Sequence, residues 1–360
     1  MQVKNLKLVN FRNYREAEFK FDKRVIGLFG KNGSGKTNVL DAIHYLAFSK
    51  SVLNNQDAQN VCHGENYFFI EGEFEKDGKQ NSVRCAYDGK KRLAEDGQEY
   101  SRFSEHIGKY PVIMIMPQDI NLIWEGGEGR RRFFDLWLSQ SNKLYLEKLV
   151  EYNQILKQRN SLLRTAQGSG FLDSDLLGSY NQPLALASHF IHQERKTFIE
   201  RINPLLKDEY TKLIKNGEEV KVAYASHLDS QTAHQLFEEN IDKELTAGRT
   251  LGGIHLDEYN FLLNNFEVRK YGSQGQQKSF LISLKMSGMN DLSAQKGFSP
   301  ILLLDDIFDK MDDDRIIRLM EIICNSTGQV FITDANPARA RDIFKTATLD
   351  FQEFNIGKEI

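Results

Sequence analysis

The sequence predicts an α/β fold built on a parallel sheet, with a short helical domain inserted into the chain. Three observations predict it. A glycine-rich loop at 30–37 follows a short apolar run and precedes apolar residues at helical spacing. A continuous apolar run at 301–304 ends in two aspartates, as a buried central strand of a parallel sheet would. Between these motifs the apolar period changes from strand-like to helical and back, which indicates an insertion.

The 360 residues leave room for two domains, and the composition narrows the class of protein. No apolar run approaches the ~18 residues of a membrane span, and the first residues lack a secretory pattern, so we expect a cytoplasmic protein with no membrane partner. The cysteines lack the spacing of a zinc site or a disulfide framework, and we expect buried thiols at Cys62, Cys85 and Cys324. Because the net charge is −3, any contact with nucleic acid must come from a local patch or from the inner surface of a dimer.

Short alternating apolar segments predict strands throughout 1–116. Asp-Gly pairs at 77–78 and 88–89 are typical of hairpin turns, because both residues tolerate the backbone angles that such turns require. The apolar run at 24–29 predicts the strand that leads into the glycine-rich loop.

After Pro117 the pattern becomes helical, and it predicts two helices of ordinary length. The second is expected to begin near Pro183 and to break at Pro204. Helices of about 20 residues span only ~30 Å, so the insertion would be a compact arm. We therefore assign 1–117 and 250–360 to one domain and 118–249 to the helical insertion.

The loop at 30–37 matches the phosphate-binding pattern G-x-x-x-x-G-K-[ST]. Its glycines let successive backbone N–H groups point at phosphate oxygens, and the following helix adds its positive end. Lys36 would reach the β- and γ-phosphates of ATP, and the Thr37 hydroxyl would hold Mg²⁺. The predicted nucleotide contacts here are Gly30, Lys31, Asn32, Gly33, Ser34, Gly35, Lys36, Thr37 and Asn38. A glycine-rich turn in an unrelated α/β unit is the alternative.

The two aspartates after the apolar run at 301–304 fit a metal site at the carboxyl end of a strand. Asp305 would hold Mg²⁺ through water, and Asp306 would polarise the attacking water as a general base. Aspartate is also a favoured N-cap, so the pair could instead begin the following helix.

The order of these motifs resembles one family, the RecF DNA-repair ATPases. The resemblance covers nearly the whole chain and is carried by six segments, at 6–14, 35–43, 129–135, 156–160, 273–278 and 302–306. It implies an ABC-type P-loop ATPase head, in which mixed sheets surround the helix after the loop, with an inserted helical arm. It also implies a weak ATPase that uses ATP and Mg²⁺, dimerises with ATP and binds DNA at gaps. There it would help RecR and RecO place a recombinase on single strands.

The segment 273–278 resembles the signature of ATP-binding-cassette ATPases, which faces the γ-phosphate across a dimer interface. Ser273 and Gly275, at a helix start, offer a hydroxyl and backbone N–H donors to an anion. The phosphate-binding loop already surrounds the phosphates of its own ATP. We therefore predict that these two residues and Gln276 act in trans, on ATP bound to a second copy. A plain turn before a helix is the alternative.

The resemblance also implies roles for three residues outside these motifs. Arg12 and Asn13 would touch the α-phosphate or the sugar of ATP. Gln118 stands where the family commonly has glutamate. Its amide carbonyl could ligate Mg²⁺ and contact the attacking water.

Some segments depart from the family pattern. Residues 253–257 read Gly-Ile-His-Leu-Asp where the family usually reads Gly-Pro-His-Arg-Asp, which leaves the role of the missing arginine open. The segment 308–312 replaces the usual Ser-Glu-Leu-Asp stretch but keeps an acid and Asp312. Thr333 and Asp334 stand in place of the histidine typical of ATP-binding cassettes, which fits slow turnover.

Several alternatives stay open. The arginines at 130–132 could meet DNA phosphates or another subunit, or they could be solvated and pair with Glu125 or Glu128. His255 could contact the nucleotide or be a satisfied core histidine. For the whole protein, the alternatives are the ATPase head of an overcoming-lysogenization-type nuclease and the energising subunit of a transporter. We expect neither, because too few residues follow Asp306 for a nuclease domain and no Leu-Ser-Gly-Gly-Gln signature is visible.

Overall fold

The computed structural model describes residues 1–214, 217–308, 313–325 and 328–357. The chain divides into two compact units. Unit 1 comprises Met1–Ile120, Glu209–Gly217 and Lys278–Ile360, and unit 2 comprises Asn121–Asp208 and Glu218–Gln277. In the described part of the chain, no helix is both long enough and apolar enough to span a membrane.

The strands in chain order are β1 (Gln2–Phe11), β2 (Tyr14–Lys20), β3 (Val25–Phe29), β4 (Phe68–Lys76), β5 (Lys79–Tyr87), β6 (Lys91–Glu95), β7 (Gln98–Glu99), β8 (Val112–Ile115), β9 (Val220–Ala225), β10 (Glu258–Leu263), β11 (Phe266–Glu267), β12 (Ile301–Leu304), β13 (Val330–Asp334) and β14 (Phe351–Asn355). The helices are α1 (Lys36–Phe48), α2 (Asn121–Trp124), α3 (Gly127–Ser141), α4 (Lys143–Ser169), α5 (Ser174–Leu213), α6 (Ala233–Ala247), α7 (Val268–Tyr271), α8 (Gln274–Lys296), α9 (Asp313–Asn325) and α10 (Pro337–Thr346).

Unit 1 contains two sheets. The first is antiparallel, with the strand order β2-β1-β4-β5-β6-β7. The predicted hairpin turns are confirmed, since Asp77 and Gly78 join β4 to β5 with positive φ angles of 51° and 74°. Residues 88–90 join β5 to β6.

The second sheet of unit 1 is parallel, in the order β14-β3-β13-β12-β8. Strands β3, β12 and β13 are buried along their whole length, which explains why their sequences are apolar without alternation. Helix α1 is buried except at Thr37 and Asn38, and its apolar residues share one core with both sheets. The carboxyl ends of β3, β12 and β13 therefore meet at one edge, where α1 begins.

Unit 2 combines helices α2, α3, α4, α6 and α7, and most of α5, with the three-stranded sheet β11-β10-β9. Helix α3 packs on β10 through Phe134, whose ring centre lies 4.3 Å from that of Tyr259. Strands β9 and β10 pair in antiparallel register, with Tyr224 opposite Tyr259.

The second long helix differs from its prediction. Helix α5 begins at Ser174, before Pro183, and runs through Pro204 to Leu213 without a break. A proline removes one helical N–H, yet tertiary contacts outweigh that cost here. The side-chain amide of Asn203 donates to the carbonyl of Val222 at 3.0 Å and accepts from its N–H at 2.7 Å.

The domain boundaries also differ from those predicted. The first lies close to the expected position, after residue 120 rather than 117. The second does not, because 250–277 belongs to unit 2 and not to the unit that holds the glycine-rich loop. The physical reason is the pairing of β10 with β9, which ties this segment to the inserted part of the chain.

The cysteine prediction is confirmed for Cys62 and Cys85, which are buried free thiols. The side chain of Cys324 and residues 309–312, which include Asp312, lie outside the described part of the chain.

Candidate nucleotide-binding site

The glycine-rich loop connects the end of β3 at Phe29 to the start of α1 at Lys36. Gly35 is the N-cap of α1 and has φ of 109°, a conformation that favours glycine. Its position is also crowded, because a Cβ there would lie 2.5 Å from the side-chain nitrogen of Asn13. Gly30 has no room for a Cβ either, since the carbonyl oxygen of Ile356 would be 2.3 Å away. The glycines thus serve the geometry of the loop.

The Lys36 side chain lies across this loop. Its ammonium donates to the carbonyls of Gly30 at 2.9 Å and Lys31 at 3.2 Å, and the residue is only 4% exposed. Lys31, Asn32 and Gly33 are exposed. The loop therefore presents its backbone to solvent at the amino end of α1, with one ammonium beneath it, as an anion site requires.

Asp305 follows β12 and joins the loop to the sheet. The Thr37 hydroxyl donates to its two carboxylate oxygens at 2.8 and 3.1 Å, and the Thr333 hydroxyl donates to one of them at 2.8 Å. Burial raises the pKa of Asp305 and the charge of Asp306 adds to this, although the two threonine hydroxyls and Lys36 oppose it. A hydroxyl and a carboxylate at this separation are a donor set that suits Mg²⁺.

Asp306 has two unusual features. Its φ is 43°, a left-handed conformation that is uncommon for a residue other than glycine. Its Oδ1 atom is buried and has no hydrogen-bond partner among the described residues. The Thr333 hydroxyl accepts from the Asp306 N–H at 2.9 Å and so fixes the backbone at this point. A left-handed backbone and an unpaired carboxylate oxygen are both features that cluster at functional sites, and a functional role for Asp306 stays a prediction.

Gln118 lies at the same edge of the parallel sheet. Strand β8 pairs with β12, and the carbonyl of Ile115 accepts from the N–H of Asp305 at 2.9 Å. Gln118 is exposed in the short turn that follows β8. The topology therefore brings the predicted Mg²⁺ residues Thr37, Asp305 and Gln118 to one sheet edge. In the described residues, no cluster of three histidine, cysteine, aspartate or glutamate side chains could hold a metal ion.

The residues of the opening segment differ in their contacts. The Asn13 amide donates to the carbonyl of Ser34 at 3.0 Å and accepts from Asn38 at 2.7 Å, so it supports the loop. The Arg12 guanidinium instead donates to the buried Asp41 on α1 at 2.8 Å. A contact between Arg12 and the nucleotide stays a prediction.

Sequence reasoning missed one further loop contact. The Tyr14 hydroxyl donates to the carbonyl of Gly35 at 3.1 Å, and burial raises the pKa of Tyr14 above its usual range. Tyr14 directly follows Asn13 in the opening segment, and this position is the sequence feature that could have indicated its contact with the loop.

The signature segment belongs to unit 2. Ser273 caps α8, because its hydroxyl accepts from the Gln276 N–H at 3.2 Å while the Gln276 amide oxygen accepts from the Ser273 N–H at 2.8 Å. Ser273 is exposed, whereas Gly275 and Gln276 are half-buried. A capped helix start and a phosphate contact are compatible, since a hydroxyl can both donate and accept.

His255 and the arginines at 130–132 are engaged within unit 2. The ring of His255 is 2.6 Å from the Tyr152 hydroxyl, and burial lowers the pKa of His255 to about 4. Arg130 donates to three backbone carbonyls, and Arg131 donates to the carbonyl of Asp257. Arg132 is exposed and pairs with Glu128 at 2.8 Å, which matches the solvated alternative. A nucleotide role for His255 stays a hypothesis.

Comparison with known proteins gives one consistent result. Residues 2–107 match the family described as RecF/RecN/SMC N terminal domain. The protein named DNA replication and repair protein RecF from Flavobacterium johnsoniae is 40% identical over 359 residues, which cover 99% of this chain and 100% of the relative. The protein of the same name from Cytophaga hutchinsonii is 39% identical over 99% of this chain and 96% of the relative.

Solved structures agree. One described as the recombination mediator protein RecF-ATP in the RecFOR pathway has a TM-score of 0.87 and 25% identity, over 99% of this chain and 98% of the other. A Smc head domain from Pyrococcus furiosus shares the fold, with a TM-score of 0.56 and 16% identity over 98% of this chain and 93% of the other. These similarities confirm the predicted ABC-type ATPase fold.

Proposed function

The chain belongs to the RecF family of DNA replication and repair proteins, as the resemblance of its motifs predicted, and on this premise we propose that it is an ATP-gated DNA-binding protein with weak ATPase activity. It would act in recombinational gap repair and replication restart, together with RecR- and RecO-like mediators. The observation that carries the nucleotide part is the hydroxyl–carboxylate contact between Thr37 and Asp305, which links the loop to the end of β12.

In the proposed mechanism, the backbone N–H groups of the loop and the positive end of α1 bind the β- and γ-phosphates of ATP. Lys36 would exchange its two carbonyl partners for phosphate oxygens. Thr37, Asp305 and Gln118 would hold Mg²⁺, which neutralises charge that develops on the phosphates during transfer. Asp306 would orient the attacking water, and its unpaired Oδ1 atom supports this role because it is free to accept a proton or a hydrogen bond.

We further propose that the active state is a dimer, in which Ser273, Gly275 and Gln276 of one copy contact the ATP of the other. The exposure of Ser273 at a helix start supports this proposal. ATP that binds only to the closed dimer stabilises it by mass action, and hydrolysis would release the two copies. Weak turnover is consistent with Thr333, which already uses its hydroxyl for Asp305 and the Asp306 N–H.

Light scattering with and without ATP tests the dimer. The wild type is expected to be a monomer alone and a dimer with ATP. Lys36→Arg should bind ATP and dimerise but hydrolyse poorly, whereas Ser273→Arg should bind ATP and stay monomeric. Ser179→Arg places the same side chain at another exposed serine of unit 2 and should dimerise normally. A dimer that forms without ATP, or one that survives Ser273→Arg, would contradict the proposal.

Gel-shift assays test the DNA part. Single-stranded, duplex and gapped DNA should be compared with and without ATP, at several salt concentrations. Phosphate contacts predict an affinity that falls steeply as salt rises. Binding that ignores both ATP and salt would exclude an ATP-gated contact with the DNA backbone.

A further inference from the structure

Lys285 is a charged residue in an unusual place. It lies in α8, within a stretch from residue 279 to 289 in which every residue is buried, and is itself only 6% exposed. Burying an ammonium is unfavourable unless it is paired and hydrogen-bonded. The contacts of Lys285 should therefore explain why the helix carries a lysine here.

Two contacts of the Lys285 ammonium fall on one short segment of unit 1. The ammonium donates to the carbonyl of Met114 in β8. It also pairs with Asp119, at 2.5 Å from Oδ2. The same carboxylate oxygen accepts from the N–H of Met116 at 2.6 Å. One ammonium thus contacts the chain before the turn at Pro117–Ile120, at Met114, and within it, at Asp119.

Gln118 lies in that turn, between the two attachment points. Its side chain is exposed, and its amide makes no hydrogen bond to any described residue. The position of Gln118 therefore depends on the backbone of the turn, which the contacts of its neighbours fix. Gln118 follows β8 and Asp305 follows β12, and these two strands are paired. A shift of the turn would therefore move Gln118 relative to Asp305.

We propose that Lys285 is a positioning residue for ATP hydrolysis. Its ammonium joins Met114 and Asp119 and so holds Gln118 at the edge of the parallel sheet where Asp305 lies. This inference rests on the proposed function of Gln118. Displacing a catalytic group by about 1 Å can cost about 100-fold in rate, so a loosened turn should be visible in turnover.

Lys285→Met tests this, since methionine keeps an unbranched side chain and removes the charge. We expect kcat for ATP hydrolysis to fall by about 10- to 100-fold, while the Kd for ATP, measured with a fluorescent nucleotide, changes by less than about twofold because the loop that binds the phosphates is intact. Lys296→Met, the same change at the end of the same helix, should leave kcat unchanged. Asp119→Asn should lower kcat like Lys285→Met, and it serves if Lys285→Met fails to fold.

The double variant Lys285→Met with Gln118→Ala separates positioning from a merely structural role. If Lys285 acts through Gln118, the double variant should have the kcat of Gln118→Ala alone. The inference would be overturned if the fall in kcat of the double variant equalled the product of the falls in the two single variants. It would also be overturned if Lys285→Met had normal turnover while Gln118→Ala was impaired. A wild type without ATPase activity, or a fully active Gln118→Ala, would instead contradict the proposed function on which it rests.

Discussion

In unit 2 the buried Arg195 is surrounded by acceptors from its own unit, including two carboxylates at 2.6 and 2.8 Å. In unit 1 the buried Asp305 accepts from two threonine hydroxyls and forms no ion pair with a described residue. Both residues are charged and at least 95% buried. The charge of Arg195 is paired directly with two carboxylates, whereas Asp305 has two hydroxyl partners and is favoured further by the charge of Lys36, with which it forms no ion pair.

This difference shows that burial of a charge does not by itself identify a functional site. A charge with a full set of partners supports the fold, and removing it should lower stability. A buried charge without a directly paired counter-charge costs stability and suits a cation that arrives with a ligand. Arg195 and Asp305 should therefore respond in opposite ways when their charges are removed.

The largest expected effect is on the stability of unit 2. Arg195→Met leaves the carboxylates of Asp135 and Asp257 without their partner, and we expect a loss of about 3–5 kcal/mol in the free energy of unfolding. Urea unfolding, followed by circular dichroism, measures it.

Arg132→Met is the matched control, because the Arg132 side chain is 72% exposed and pairs only in solvent with Glu128. Its effect should stay within about 0.5 kcal/mol. If Arg195→Met were as stable as this control, the ion pairs of Arg195 would not stabilise unit 2.

The counterpart in unit 1 is Asp305→Asn. We expect ATP hydrolysis to fall at least about 100-fold, equal to about 2.7 kcal/mol, because an amide holds Mg²⁺ more weakly than a carboxylate. The free energy of unfolding without nucleotide should stay the same or rise, since a desolvated charge is removed while one oxygen can still accept from the threonines. Steady-state hydrolysis and urea unfolding measure the two effects, and a destabilised Asp305→Asn would remove the contrast between Asp305 and Arg195.

A smaller effect concerns two buried histidines, one in each unit. Burial lowers the pKa of His44 in unit 1 and of His255 in unit 2 to about 4. The folded protein keeps these rings neutral, whereas the unfolded chain binds protons below its ordinary histidine pKa of about 6.5. Stability is therefore complete above pH 6.5 and is lost as the pH falls towards 4.

His44→Gln removes one of these titrations. Between pH 7.5 and pH 5 the variant should lose about 2 kcal/mol less stability than the wild type, as measured by urea unfolding at each pH. His255→Gln should do the same for unit 2. An unchanged pH dependence in both variants would mean that these rings accept protons in the folded state.

The backbone around the candidate phosphate-binding loop could be predicted from the sequence because its geometry is local. The spacing of Gly30, Gly35 and Lys36 fixes a strand, a loop and a helix start within one short segment. The acids after β12 follow an apolar run that only a buried strand explains. Parallel strands then bring both segments to one edge, which requires no knowledge of individual contacts.

Other features could not be predicted because they depend on contacts distant in sequence. Arg195 and Asp257 are 62 residues apart, so the sequence does not reveal that this arginine is buried. The second domain boundary differs from its prediction for the same reason. The pairing of Tyr259 with Tyr224 connects 250–277 to unit 2. Continuation of α5 through Pro204 depends on the contact between Asn203 and Val222.

The smallest expected effect tests whether structural and functional contacts can also be told apart within the candidate site. Thr333 differs from the other groups around Asp305, because its hydroxyl both donates to that carboxylate and accepts from the Asp306 N–H. Thr333→Val keeps the shape and removes both bonds, so we expect a loss of about 1 kcal/mol in stability and about a fivefold fall in ATP hydrolysis. Thr346→Val, at an exposed threonine of α10, is the control and should change neither. If Thr333→Val lost stability but kept full turnover, the Thr333 hydroxyl would have a structural role, as the contacts of Arg195 do. Its hydrogen bond to the Asp306 N–H would then not be required for catalysis.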